Sequence, residues 1–207
     1  MNILREQDLD LDYYTYGDYK TWDDGIRWEL IDGKAYCMYP PAMKSGILCM
    51  GPAPRVAHQT VLGNLFAELK IYFKDKKCRV FMSPFDVSLP KGDESEDEID
   101  TVVQPDILIL CDESKLRPSG IVGAPDVVFE ILSPSTSARD MNEKLSLYER
   151  SGVKEYFIVD ADEHLVTAYR RGGDGLYFSN SANYRDADTL EFRTFKELKI
   201  PLGAIWE

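Results

Sequence analysis

Two carboxylates interrupt two otherwise apolar runs. Asp106 follows Pro105 inside VVQPDILIL, and Glu130 sits inside VVFEIL. Both runs read as strands covered on both faces, where an acid is costly unless something compensates its charge. A lone buried acid is commonly a structural hydrogen-bond acceptor; two on successive core strands point to a shared partner. If the strands are neighbours, both carboxylates converge on one point, and oxygen ligands completed by water and a phosphate oxygen suit Mg2+ or Mn2+.

A cation of the chain's own can join them. After Ser133-Pro134-Ser135-Thr136-Ser137 the sequence reads as a helix from Ala138 to Ser151, stopped by Gly152. Met141, Lys144, Leu145 and Tyr148 share one face of it at the i, i+3, i+4, i+7 spacing. Lys144 then either runs its stem along the apolar stripe to solvent or sets its ammonium beside the two acids. There it could stabilise charge growing on a phosphate or orient an attacking water.

The elements that must position these residues follow from the pattern. Thr15 to Trp22 reads as a short helix opened by a capping box, Thr15 with Asp18, within an N-terminal helical appendage over residues 1–25. RWELI and KAYCMY flank Asp32-Gly33, a dipeptide suited to a two-residue hairpin turn. Pro40 to Pro54 has no periodicity and reads as a loop. His58 to Phe73 is helical, with Leu62, Leu65, Phe66, Leu69 and Phe73 on one face. CRVFMSPFDVSL and VVQPDILIL read as strand regions joined by a solvated acidic loop, KGDESEDEID. APDVVFEIL and KEYFIVD are further strands, LVTAYRR and GGDGLYFS a second hairpin, and Phe195 to Leu198 an edge strand or short helix. The order of helix, three strands, helix and strand, with hairpins at both ends, predicts an α/β class with a mixed central sheet.

Bulk properties narrow the function. The 207 residues, 44% hydrophobic and 29% charged, suit a single domain over 1–207. No run approaches the roughly 20 apolar residues of a membrane span, and the acidic start, MNILREQDLDLDYY, is unlike a secretory signal; a cytoplasmic protein is expected. Cys37, Cys49, Cys78 and Cys111 form no CxxC pair and read as reduced thiols in or near the core. A net charge of -12 counts against gripping nucleic acid by overall electrostatics, so any such contact must come from a local patch or a metal.

These segments resemble a known group. Pro105-Asp106 and Glu130-Ile131-Leu132 stand where the PD-(D/E)xK nuclease superfamily has its two motif elements. WELIDG, PFDV, QPDILIL, GAPDVVFEILSPSTSARD and EKLSLYERSGVKEYFIVD are similar to the Uma-two family of restriction-endonuclease-like proteins over roughly residues 14 to 172. The resemblance implies a restriction-endonuclease-like core and a metal-dependent endonuclease acting on DNA. In it Asp106, Glu130 and the backbone carbonyl of Ile131 would hold Mg2+, and the chain would work as a homodimer on the two strands of a duplex. Leu132 occupies the usual lysine position, which makes Lys144 a migrated lysine. Glu29 and His58 occupy family-like positions that could line the cleft; as plain residues they read as an edge-strand acid and a helix-start histidine.

Asp86, Asp126 and Asp160 read as strand-end residues rather than ligands. A nucleotide enzyme is disfavoured because no glycine-rich phosphate loop follows a strand; Gly172-Gly173-Asp174-Gly175 reads as a turn. The rival from another class is a catalytically inactive nuclease-fold interaction module, which the acidic charge and Leu132 favour.

Overall fold

Pro105 cannot donate to a strand ladder, and it divides VVQPDILIL into two strands that join different sheets. In the computed structural model, β7 (Val102–Val103) lies before the proline and β8 (Ile107–Leu110) after it. CRVFMSPFDVSL divides in the same way at Pro84 into β5 (Arg79–Met82) and β6 (Asp86–Ser88). The structure describes residues 13–38, 55–133, 141–177 and 181–207, together with the backbone of 42–44 and 47–49.

The chain forms two compact units, each assembled from three sequence segments; the expectation of one contiguous domain did not include this interleaving. The first comprises 1–53, 86–104 and 117–123. Its sheet has the order β2-β1-β7-β6-β10-β9, with β1 (Trp28–Ile31), β2 (Lys34–Cys37), β9 (Leu116–Arg117) and β10 (Gly120–Val122). The β1–β2 hairpin closes on Asp32 (φ 52°) and Gly33 (φ 78°), as the dipeptide predicts. A Cβ on Gly33 would fall 2.2 Å from the Tyr13 ring, so the turn needs glycine twice over. The predicted N-terminal helix reduces to one turn, α1 (Tyr16–Tyr19). It is no appendage: Tyr14, Tyr16, Tyr19 and Trp22 pack with Trp28 and Leu30 in the core of this unit, and residues 1–12 lie outside the described ones.

Within Pro40–Pro54, read as a loop, the backbone forms a small antiparallel ribbon, β3 (Ala42–Lys44) with β4 (Ile47–Cys49). The rest of that segment lies outside the described residues. Gly120–Val122 is a strand that the sequence reading passed over; it pairs parallel with β6.

The second unit comprises 54–85, 105–116 and 124–207 and carries the expected order: α2 (Val56–Phe73), β5, β8, β11 (Val127–Ile131), α3 (Glu143–Ser151) and β12 (Glu155–Asp160). With β13 (Leu165–Arg170) and β14 (Ala182–Tyr184), its six-stranded mixed sheet runs β14-β13-β12-β11-β8-β5. Only β11 and β12 pair parallel, joined through α3, while β5–β8, β8–β11 and β12–β13 are antiparallel. Leu62, Leu65, Leu69 and Phe73 of α2 bury against Ile107, Ile109, Phe129 and Ile131, which is the face their spacing predicts. Gly152 stops α3 in the left-handed region (φ 87°).

The second hairpin is shifted from its expected place. β13 (Leu165–Arg170) pairs with β14 (Ala182–Tyr184); of the GGDGLYFS run, Gly172 to Gly175 is a turn closed by a Gly175 N–H bond to the Gly172 carbonyl, and residues 178–179 lie outside the described ones. The tail forms β15 (Thr189–Glu191), β16 (Lys199–Pro201) and a closing turn, α4 (Gly203–Trp206), rather than one element at Phe195. The reduced-thiol reading is corrected for two cysteines. Arg79 faces Leu110 across the β5–β8 ladder, so Cys78 and Cys111 meet one step beyond it and form a disulfide. Among the described residues no helix is long and apolar enough to cross a membrane.

Candidate active site

The β8–β11 register brings the two acids together. Phe129 faces Ile107, and one further antiparallel step places Glu130 opposite Asp106. Two contacts close this end of the ladder: the Ile131 N–H donates to Asp106 Oδ2 at 2.8 Å, and the Asp106 N–H approaches Glu130 Oε2 at 3.4 Å. Side chains alternate along β11, so Phe129 and Ile131 enter the core under α2 while Glu130 turns to the face covered by α3.

On that face Lys144 Nζ donates to Glu130 Oε1 at 2.8 Å, and the Tyr148 hydroxyl donates to the same oxygen at 2.9 Å. Lys144 is 1% exposed and Glu130 4%, so the pair is desolvated and depends on its geometry. Lys144 thus points inward, while Met141, assigned to the same face, is 50% exposed; it precedes the regular turns of α3. The role of Tyr148 was missed as chemistry and read only as part of an apolar stripe. Its position one turn beyond Lys144 was the signal, because residues at i and i+4 reach the same target. Its ring rests on Tyr156 of β12 at 4.9 Å.

His58, in the first turn of α2, sets Nε2 3.4 Å from Asp106 Oδ2. Its Nδ1 is buried without a hydrogen-bond partner among the described residues. The second unit therefore gathers Asp106, Glu130, Ile131, Lys144 and His58 in one place and adds Tyr148. Glu29 belongs to the first unit, where it is fully buried and its Oε1 accepts from the Gln104 N–H at 2.8 Å.

The discounted aspartates have structural partners. Asp126 accepts from the Cys111 N–H at 2.7 Å and from Lys154 at 2.6 Å, and Asp160 caps the turn at 162–163. Asp86, in the first unit, accepts from Gln104 Nε2 at 2.8 Å and from the Tyr19 hydroxyl at 3.1 Å. Burial pushes its carboxyl above the usual aspartate range despite those bonds.

The donor set can be tested against a divalent cation. Two carboxylates meet at a strand end, and no group of three or more His, Cys, Asp or Glu placed to hold a metal occurs among the described residues. Such a pair does not make a closed protein cage. It fits Mg2+, which keeps several waters and takes one or two carboxylates plus substrate phosphate oxygens.

Comparison with known proteins gives the chain's family and fold. A family model described as "Putative restriction endonuclease", Uma2, matches residues 16–203. The chain belongs to the Uma2 family. A solved structure titled as a putative nuclease belonging to DUF820 from Anabaena variabilis superposes on this Uma2 chain with a TM-score of 0.67 at 18% identity, covering 93% of this chain and 97% of the other. The shared fold is thus the restriction-endonuclease-like α/β fold with a mixed sheet. Two Synechocystis proteins, named uncharacterized protein slr1290 and uncharacterized protein sll1609, are 30% identical over 91 residues and 24% over 142. Those matches span 44% and 67% of the Uma2 chain, and 47% and 76% of the relatives.

Proposed function

We propose that this Uma2 chain is a metal-dependent endonuclease that hydrolyses phosphodiester bonds in DNA. The observation that carries this reading is the meeting of Asp106 and Glu130 at the end of the β8–β11 ladder, with Lys144 2.8 Å from Glu130. Asp106, Glu130 and the backbone carbonyl of Ile131 would hold Mg2+ or Mn2+. Bound there, the cation would supply Lewis-acid activation of a water and of the scissile phosphate.

The remaining work falls to the chain. The Ile131 N–H fixes one oxygen of Asp106, and His58 abuts that same oxygen. Lys144 and Tyr148 anchor Glu130 through Oε1 and so orient its carboxylate. The Lys144 ammonium also supplies fixed positive charge in a nearly dry site, where charge growing on the phosphate is stabilised most. A second copy would serve the second strand of a duplex, so the active species on this reading is a homodimer.

The competing reading, an inactive nuclease-fold interaction module, draws support from the same contact, since on that reading the buried Lys144 neutralises Glu130 and does no more. Incubation with supercoiled plasmid and with single-stranded DNA and RNA, in Mg2+, Mn2+ or EDTA, separates the two. Metal-dependent cutting lost in folded Asp106→Ala, Glu130→Ala and Lys144→Ala supports the nuclease. No cutting under any condition, with no Mn2+-induced rise in Tm, favours the module.

A further inference from the structure

The end of α2 departs from the charge balance of the rest of the chain. Residues 70–79 hold five basic side chains, Lys70, Lys74, Lys76, Lys77 and Arg79, against the single acid Asp75, within a protein of net charge -12. Lys70, Lys74, Asp75, Lys76 and Arg79 ring an open hollow of about 370 Å3 whose floor includes Phe73, Cys78 and Val80. Lysines at a helix C-terminus complement its dipole, but that accounts for Lys70 and Lys74 alone, since Lys76, Lys77 and Arg79 lie beyond the helix.

The hollow is held in shape. The Cys78–Cys111 disulfide ties its base to β8, and Lys76 Nζ sits 3.1 Å from the centre of the Tyr72 ring, a cation-π contact that fixes its direction. Arg79 is engaged by Glu113 at 2.8 Å, so the three lysines on the rim carry most of the positive charge.

We propose that this hollow is a phosphate-binding site for a nucleic-acid backbone, the local cationic patch that an acidic chain needs to hold a polyanion. Its position gives it a task, on the reading of the chain as a nuclease. Arg79 begins β5, and at the other end of that strand the Ser83 N–H bonds to the Asp106 carbonyl. Four residues of extended chain span about 13 Å, the length of β5 between its Arg79 end and its Asp106 end. A phosphate seated in the hollow would therefore anchor the polymer at the far end of β5 from the bond presented to Asp106 and Glu130.

The test is fluorescence anisotropy of a labelled 20-mer, duplex or single-stranded DNA or RNA, titrated with the full chain in EDTA across a salt series, so that binding is read without cleavage. The triple variant Lys70→Gln, Lys74→Gln, Lys76→Gln should raise Kd at least tenfold and make the log Kobs against log[salt] slope shallower by about two to three on duplex. A charge-matched control with Lys154→Gln, Lys196→Gln and Lys199→Gln should keep the parental slope. The anchor is overturned if the rim variant, folded by circular dichroism, binds with the parental slope, if the parent binds none of the four polymers, or if polyglutamate competes as well as DNA. Cutting by a parent whose rim variant binds unchanged would remove the anchor and leave the nuclease reading standing. Rim-dependent binding by a parent that never cuts would do the reverse.

Discussion

Lys144 presents its ammonium to Glu130 with almost no water contact. Removing one partner of a buried pair leaves the other charged and unsatisfied, so Lys144→Met should cost about 3–5 kcal/mol in urea unfolding. Tyr148→Phe removes one hydrogen bond to a charged group and should cost about 1.5–3 kcal/mol. A Lys144→Met variant as stable as the parent would mean that Glu130 is not held as a carboxylate. Asp86 predicts the opposite sign. Its pKa is raised by burial, so the folded state binds its proton more tightly than the unfolded chain and loses stability as pH rises through that range. Asp86→Asn keeps an acceptor for Gln104 and Tyr19 without the charge and should raise Tm at neutral pH; an unchanged or lower Tm would show that the charge is compensated.

At the level of elements, the pattern revealed what depends on local spacing and concealed what depends on pairing. The face of α2 and the Asp32-Gly33 turn were readable because both are set within a few residues. Asp106, Glu130 and Lys144 were singled out because buried charge in an apolar run is conspicuous, and His58 because of its resemblance to family members. Tyr148 was hidden because an aromatic on an apolar stripe looks like core. The division of two strand runs between two sheets was not readable either, since Pro84 and Pro105 announce a break and not which sheet follows it. The same holds for Cys78 and Cys111, 33 residues apart, which only the β5–β8 register brings together. A loop of that length gives a disulfide worth about 3–4 kcal/mol in the chain-entropy account. Reduction, or Cys78→Ser with Cys111→Ser, should lower the urea midpoint accordingly, and an unmoved midpoint would mean that β5 and β8 hold register without the bond. Leu65→Ala, fully buried on α2, should cost about 2–5 kcal/mol.

For the whole molecule, pH also acts through Asp100, a buried acid at the end of the acidic loop. Burial pushes the Asp100 carboxyl up, but hydrogen bonds from Lys91, Tyr13 and Thr101 outweigh it and leave its pKa below the ordinary value. Its contribution is present above the usual aspartate range and lost as pH falls through the depressed pKa. Lys91 is raised against its own desolvation by Asp100 and Asp32, so its contribution lasts until pH climbs through a value above that of a free lysine. The stability gap between the parent and Asp100→Asn should thus be wide at pH 7 and shrink as pH falls below the ordinary aspartate range, read from denaturant midpoints.

The chain's repeated passage between the two units has a consequence for inheritance. Each unit is completed by three separated stretches of sequence, so no single cut in the gene releases either one whole. A recombination event that exchanges residues 1–85, or appends 105–207 to another protein, delivers strands without their sheet partners. Transfer of either unit intact would thus need several coordinated exchanges, where a contiguous domain needs one.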